Sequence, residues 1–238
     1  GDSFHPGGLD LTRRLGELLH LGPQSRVLDA ACGKGTSAVF LAEHFGCKVV
    51  GVDYSTRNVC QTNELAAANS VASRVHCERA DSELLPFPDG SYDAVICECA
   101  FCTFPNKTTA ANEFVRVLRA RGQVGLSDLT RSPVLSGQLD GLLARIACVA
   151  DAQPIEGYEA YLEQAGLRVS QVEKHDDALQ EMVQQIRGKL FGAEVMVGLK
   201  KLELPGGDLQ AAKEMAKNAQ EAITRGHLGY VLISAVKQ

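Results

Sequence analysis

Short apolar, β-branched runs alternate with helix-period segments along the first 130 residues, and this alternation constrains the fold more than any other feature. The runs lie at 25–31, 48–53, 74–79, 92–97 and 123–129, with helical patterns at 35–45, 55–68 and 108–119. Strands that alternate with helices imply a parallel sheet covered on both faces, and near-continuous apolar strands are what double coverage requires. Leucines at helical spacing over 9–21 predict an amphipathic helix ahead of this core. Beyond it, helices are predicted at 134–150, 157–165 and 177–200, with a further helix from Gly206-Gly207-Asp208 to about 225. Strands are predicted at 167–174 and 228–236. The expectation is one α/β domain over 1–238: a doubly wound sheet of about seven strands, an N-terminal helix or lid over 1–24, and a helical insertion over 177–225 before the last strand.

Composition narrows the function. With 238 residues, 45% hydrophobic and 22% charged, the chain can bury a full core. A net charge of −5 gives no basic field for phosphate neutralisation, so no nucleic-acid partner is expected. No apolar run approaches the roughly 18–20 residues of a membrane span. The eight cysteines, at 32, 47, 60, 77, 97, 99, 102 and 148, are too dispersed for a small disulfide scaffold and contain no paired C-x2-C clusters for zinc, so no metal site is expected. Residues 1–5 carry no charged-then-apolar leader pattern, and a cytoplasmic, reducing location with free thiols is expected.

A ligand site is legible at the end of the first strand. Gly33-Lys34-Gly35 follows it directly and opens a helix, where glycines allow close backbone approach and unpaired N–H groups face outward. Asp53 ends the second strand 18 residues past Gly35, where an acid accepts hydrogen bonds from ribose hydroxyls. This spacing points to a nucleoside cofactor and does not by itself separate a nicotinamide dinucleotide from S-adenosylmethionine. The run Val27-Leu28-Asp29-Ala30-Ala31-Cys32-Gly33-Lys34-Gly35 resembles the V-L-D-x-x-C-G-x-G loop of class I S-adenosylmethionine-dependent methyltransferases. Val52–Ser55 resembles their ribose-binding segment, Ala80-Asp81-Ser82 their adenine-contacting acidic loop, and Leu85–Asp93 their L-P-F-P-D-x-S-F-D run. The resemblance implies a Rossmann-like fold and S-adenosyl-L-methionine as cofactor, and argues against NAD. It places Asp29, Gly33 and Gly35 at the methionine end, Asp53 on the ribose, and Tyr54, Asp81 and Ser82 at the adenine.

The acceptor side is marked by sulfur. Cys97, Cys99 and Cys102 fall within six positions at the carboxyl end of a strand, and thiolates suit a thiophilic ion. Cys99–Lys107 resembles the matching segment of arsenite methyltransferases, with Cys99 on that group's metalloid-binding cysteine, and Cys148–Ala152 resembles the segment carrying its second. The departures are Ala38, where that group often carries a thiol, and Glu98, Cys102 and Asp151, each replacing another residue. That resemblance implies methylation of a thiol-bound trivalent metalloid such as arsenite, held by Cys99 and Cys148 with Cys102 as a third ligand. The alternatives are a methyltransferase acting on a small organic molecule of the quinone- or lipid-precursor type, and a non-catalytic thiolate sensor that binds the cofactor as a regulator. An organic acceptor would need a base, for which Glu98, Asp128 and His5 are the candidates.

Overall fold

The computed structural model describes residues 5–134, 148–199 and 209–238. Helix α1 (Gly8–Leu18) precedes β1 (Arg26–Ala30), α2 (Thr36–Phe45), β2 (Lys48–Asp53), α3 (Thr56–Ala68), β3 (Val75–Arg79) and β4 (Tyr92–Glu98). A 3-10 turn at Phe101–Thr103 leads to α4 (Lys107–Val117), β5 (Leu118–Arg131), α5 (Ile155–Gln164), β6 (Leu167–Lys174), α6 (Asp176–Gly198), α7 (Leu209–Thr224) and β7 (Leu228–Lys237). The predicted elements are present at nearly their predicted positions; the helix expected at 134–150 lies almost wholly outside the described residues. No described helix is long and apolar enough to cross a membrane.

The seven strands form one sheet in the order β3-β2-β1-β4-β5-β7-β6. The first five pair in parallel, as the alternation implies, but β7 is antiparallel to both β5 and β6. Strand β7 lies between β5 and β6 and runs against both, so the chain leaves the sheet after β6 and re-enters it at the same end, with α6 and α7 in between. Strand β5 also starts earlier than expected, directly after α4, with the left-handed Arg121 (φ 62°) and Gly122 in its first turn.

Alternation along the strands divides the core between the faces. Val27, Ala94 and Ile96 pack with α1, α2, α6 and α7, whereas Leu28, Val95 and Cys97 pack with α4 and α5. On the second face Phe101 is fully buried, its ring 5.8–6.2 Å from those of Phe104, Phe114, Tyr158 and Tyr161. These rings anchor the 3-10 turn after β4, and so fix the chain that leaves the centre of the sheet.

Arg116 on α4 organises the Leu85–Asp93 run ahead of β4. Its guanidinium donates to the carbonyls of Leu85 (2.9 Å) and Phe87 (2.7 Å), to Asp89 (2.9 Å), and through two bonds of 2.7 Å to Glu113. Glu113 in turn accepts the Leu85 N–H at 2.8 Å, and Arg116 holds its carboxyl below the usual range. Hydrogen bonds to charged groups contribute about 1.5–3 kcal/mol each, so Arg116→Ala is expected to lower unfolding free energy by about 2–3 kcal/mol in urea titrations. Arg116→Lys is expected to recover less than half of that loss, because an ammonium cannot present a planar fork to four acceptors. Wild-type stability in the lysine variant would contradict this account.

Candidate active site

A cavity of about 580 Å³ opens at the carboxyl ends of β1 and β4. One end is made by the loop after β1. Gly33 (φ 57°) and Gly35 (φ 79°) both take the left-handed conformation that glycine tolerates, and Gly35 stands immediately before α2. A Cβ at Gly35 would collide with the Thr62 side chain, whereas one at Gly33 would meet nothing, which leaves the backbone there open to a ligand. Cys32, Gly33, Thr36, Ser37 and Asn58 line this end.

Asp29, at the carboxyl end of β1, is 3% exposed and also lines the cavity. Its Oδ2 is buried without a hydrogen-bond partner, and burial, with smaller effects from Glu98, Cys77 and Asp53, raises its pKa well above the ordinary carboxylate value. An unpartnered carboxylate oxygen facing a cavity suits the ammonium of an amino-acid ligand. Asp53 is buried at the end of β2, where its Oδ2 accepts the Gly33 N–H (2.9 Å) and its Oδ1 accepts from the Ser55 N–H (2.8 Å) and Asn58 Nδ2 (3.1 Å). Tyr54 is 71% exposed with the Arg79 guanidinium over its ring at 5.4 Å. Asp81 is exposed and accepts the Glu83 N–H (2.9 Å), and Ser82 is buried beside it.

The other end is lined by aliphatic side chains. Leu179, Met182, Val183 and Ile186 present one stripe of α6, at helical spacing, and Met215, Ala216 and Ala219 a stripe of α7. The two inserted helices therefore roof the cavity, with Leu129, Val149 and Leu228 completing the wall.

Glu98 and Cys99 stand between the two ends. Glu98 closes β4 on the α1 face, where Thr12 Oγ1 donates to both its oxygens (3.1 and 3.2 Å) and His5 Nε2 lies 3.9 Å away. Strict alternation would turn Cys99 to the opposite face, with Cys97. The strand ends first: Cys99 takes a left-handed φ of 51°, packs against the same core as α1 and α6, and lines the cavity beside Glu98. Cys97 is buried on the other face. Cys148, also left-handed (φ 61°), reaches the cavity from across, and the buried Cys102 lies behind it with its thiol 3.8 Å from the Cys148 carbonyl. Donation from Cys102 lowers the Cys148 thiol and raises that of Cys102. Cys99 and Cys148, from two distant segments, thus both line the cavity while Cys102 does not, and among the described residues no group of three or more histidine, cysteine or acidic side chains is placed to hold a metal ion.

Asp128 is placed differently from the other sequence candidates. It is 1% exposed, and its oxygens accept the Cys102 N–H and the Leu129 N–H, both at 2.8 Å. Burial raises its pKa to about 6, against these hydrogen bonds, and it holds the 3-10 turn without lining the cavity. Thr12, Ser127 and Tyr230, which bond to Glu98 and Cys99, have no signal in the sequence, because their partners lie 29 to 131 positions away.

The methyltransferase-domain family matches residues 27–122, the span that holds the glycine loop, Asp53 and Glu98. The chain is 30% identical to 27-O-demethylrifamycin SV methyltransferase of Amycolatopsis mediterranei over 95% of this chain and 82% of that one. It belongs to the class I S-adenosylmethionine-dependent methyltransferases. Phosphoethanolamine N-methyltransferase of Triticum aestivum is 29% identical over 73% of this chain, which spans 30% of that enzyme's length. In fold it is similar to geranyl diphosphate C-methyltransferase of Streptomyces coelicolor, solved with S-adenosyl-L-homocysteine, with a TM-score of 0.74 at 17% identity over 97% of this chain and 78% of that one. As an S-adenosylmethionine-dependent methyltransferase the protein is an enzyme, which removes the non-catalytic sensor reading. Neither relative is an arsenite methyltransferase.

Asp29 gives this site a measurable signature. A carboxyl that holds its proton more tightly folded than unfolded subtracts stability as pH rises above the unfolded pKa. Asp29→Asn is therefore expected to raise the thermal midpoint of the ligand-free protein near neutral pH, and the gain should vanish in acid, where the carboxyl is protonated in both states. A midpoint lowered at every pH would show that the carboxylate is satisfied.

Proposed function

We propose that this methyltransferase acts on a small organic acceptor with an apolar body. The observation that carries the reading is the continuity of one cavity from the glycine loop, past Glu98, to the aliphatic wall roofed by α6 and α7. Among the described lining residues the only lysine or arginine is Lys34, on the glycine loop, and those that roof the far end are aliphatic. An aliphatic lining of this kind favours neutral, mostly hydrocarbon acceptors, a class that includes quinone and lipid precursors.

In this reading Asp29, Gly33 and Gly35 bind the methionine end of S-adenosyl-L-methionine, with the Asp29 Oδ2 taking the ammonium. Asp53, whose lone pairs are not exhausted by three donors, takes the ribose. Tyr54 stacks on the adenine, with Asp81 accepting from its amine and Ser82 alongside. The cofactor supplies the electrophilic methyl group. The protein aligns an acceptor oxygen, nitrogen or carbon in line with it, an effect that contributes about 7–11 kcal/mol when reactants are held in attack geometry. Glu98, oriented by Thr12 and close to His5, accepts the acceptor's proton. Asp128 is sealed from the cavity and has no such role.

A second reading has its own support. Cys99 and Cys148 both line the cavity with Cys102 behind them, the corner a trivalent metalloid such as arsenite would occupy. Its lone pair would attack the methyl group without a base.

Both readings meet one assay, methyl transfer from labelled S-adenosyl-L-methionine. Neutral apolar alcohols and phenols are expected to yield product, and phosphoethanolamine none. Labelled product from phosphoethanolamine alone would overturn the apolar-acceptor reading. Arsenite with glutathione distinguishes the second: product that disappears in both Cys99→Ser and Cys148→Ser establishes it, and absence of product removes it.

A further inference from the structure

A continuous run of hydrogen bonds leaves the cavity at Cys99 and returns to it at Glu98. The Cys99 thiol lies 3.3 Å from Tyr230 Oη, Tyr230 donates to Ser127 Oγ at 3.0 Å, and Ser127 donates to Glu98 Oε1 at 3.4 Å. The single phenolic hydrogen of Tyr230 is committed to Ser127, so the thiol is the donor to Tyr230. All three hydrogens therefore point one way, from sulfur toward carboxylate. Both ends line the cavity, while Tyr230 and Ser127 are each 0% exposed.

A buried phenol needs one partner, and Ser127 would satisfy it. That accounts for neither the thiol at the phenol oxygen nor the carboxylate beyond the serine. The Cys99 N–H is pinned to the Ser127 carbonyl at 2.7 Å, and the left-handed backbone at Cys99 brings its sulfur back to the face of Glu98. Burial, with smaller effects from Asp128, Glu98 and Cys148, raises the Cys99 thiol and keeps its proton bound at rest, against the hydrogen bond with Tyr230. Thr12, His5 and Asp29 are the groups around the Glu98 end. A buried thiol in acidic surroundings attacks as a thiolate only if its proton has an exit.

We propose that Tyr230 and Ser127 relay the proton of the Cys99 thiol to Glu98, so that Cys99 attacks a soft electrophile in the cavity as a thiolate. Cys99 is the catalytic group, and Tyr230 and Ser127 are positioning residues. As the sulfur bonds to the electrophile, the S–H bond breaks; its proton passes to Tyr230, that of Tyr230 to Ser127, and that of Ser127 to Glu98. The leaving group departs with its electron pair. With a trivalent metalloid hydroxide, the departing hydroxide takes the proton from Glu98 as water, and no oxidant or reductant is involved. The proposal deepens the metalloid reading, and its test reads alkylation of one cysteine, so it fails or stands separately from methyl transfer.

The test is limiting iodoacetamide applied to the folded full chain, with the rate at each cysteine read by peptide mass spectrometry and the exposed Cys60 as internal reference. Tyr230→Phe and Ser127→Ala are each expected to slow alkylation of Cys99 by at least about fivefold while leaving Cys60 unchanged. Ser127→Ala is the decisive arm, because it keeps the thiol–phenol contact and cuts only the link to Glu98; Ser127→Thr should restore the rate. Glu98→Gln, at the cavity wall, serves if the buried variants do not fold, and is expected to slow Cys99 in the same way. A wild-type rate at Cys99 in folded Ser127→Ala or in Glu98→Gln would overturn the relay.

Discussion

The Asp53 carboxylate ties together the two loops that make the site. By accepting from Gly33, Ser55 and Asn58, one side chain at the end of β2 fixes the turn after β1 and the entry into α3 at once. The loop after β1 can then hold two left-handed glycines, direct its backbone toward the cavity and leave Asp29 below it with one oxygen unpaired. The remainder of the site is arranged around that fixed edge: Glu98 and Cys99 one strand along, the thiol corner beyond them, and the two inserted helices above.

The electrostatics of the cavity follow from this arrangement. Asp29 and Glu98 are both lining carboxylates, and Glu98 is among the groups that raise the Asp29 pKa. Such a pocket is destabilised while empty of positive charge and favours a cation, which suits a cofactor carrying both an ammonium and a sulfonium. Farther from the glycine loop, past Glu98, the described lining becomes aliphatic. Strained, charged and buried groups coincide in one place, as expected where function rather than stability has shaped the residues.

Much of the fold was legible because local pattern determines it. Strand–helix alternation located the first five strands, and the resemblance at 27–35, 52–55, 80–82 and 85–93 specified the cofactor. What escaped was set by tertiary context. Nothing local announces that β7 runs antiparallel, since its direction depends on which end of the sheet the chain re-enters. The face of Cys99 was ambiguous for a similar reason: alternation puts it with Cys97, and a left-handed backbone at a non-glycine residue reverses that. Thr12 reads as one polar position in a leucine-rich helix and Tyr230 as one aromatic in a strand. Their roles appear only when chain segments 86 and 131 positions apart meet.

The central claim is that the glycine loop and Asp29, with Asp53 behind the loop, form the cofactor end of a cavity whose far end takes the acceptor. A crystal structure of the protein with S-adenosyl-L-homocysteine tests it most directly. The account predicts the amino-acid end of the ligand against Gly33 and Gly35, its ammonium within hydrogen-bond distance of Asp29 Oδ2, its ribose at Asp53, and its sulfur facing the side of the cavity bounded by Glu98 and Cys99. A ligand bound elsewhere, or one that leaves Asp29 Oδ2 unpartnered, would contradict it.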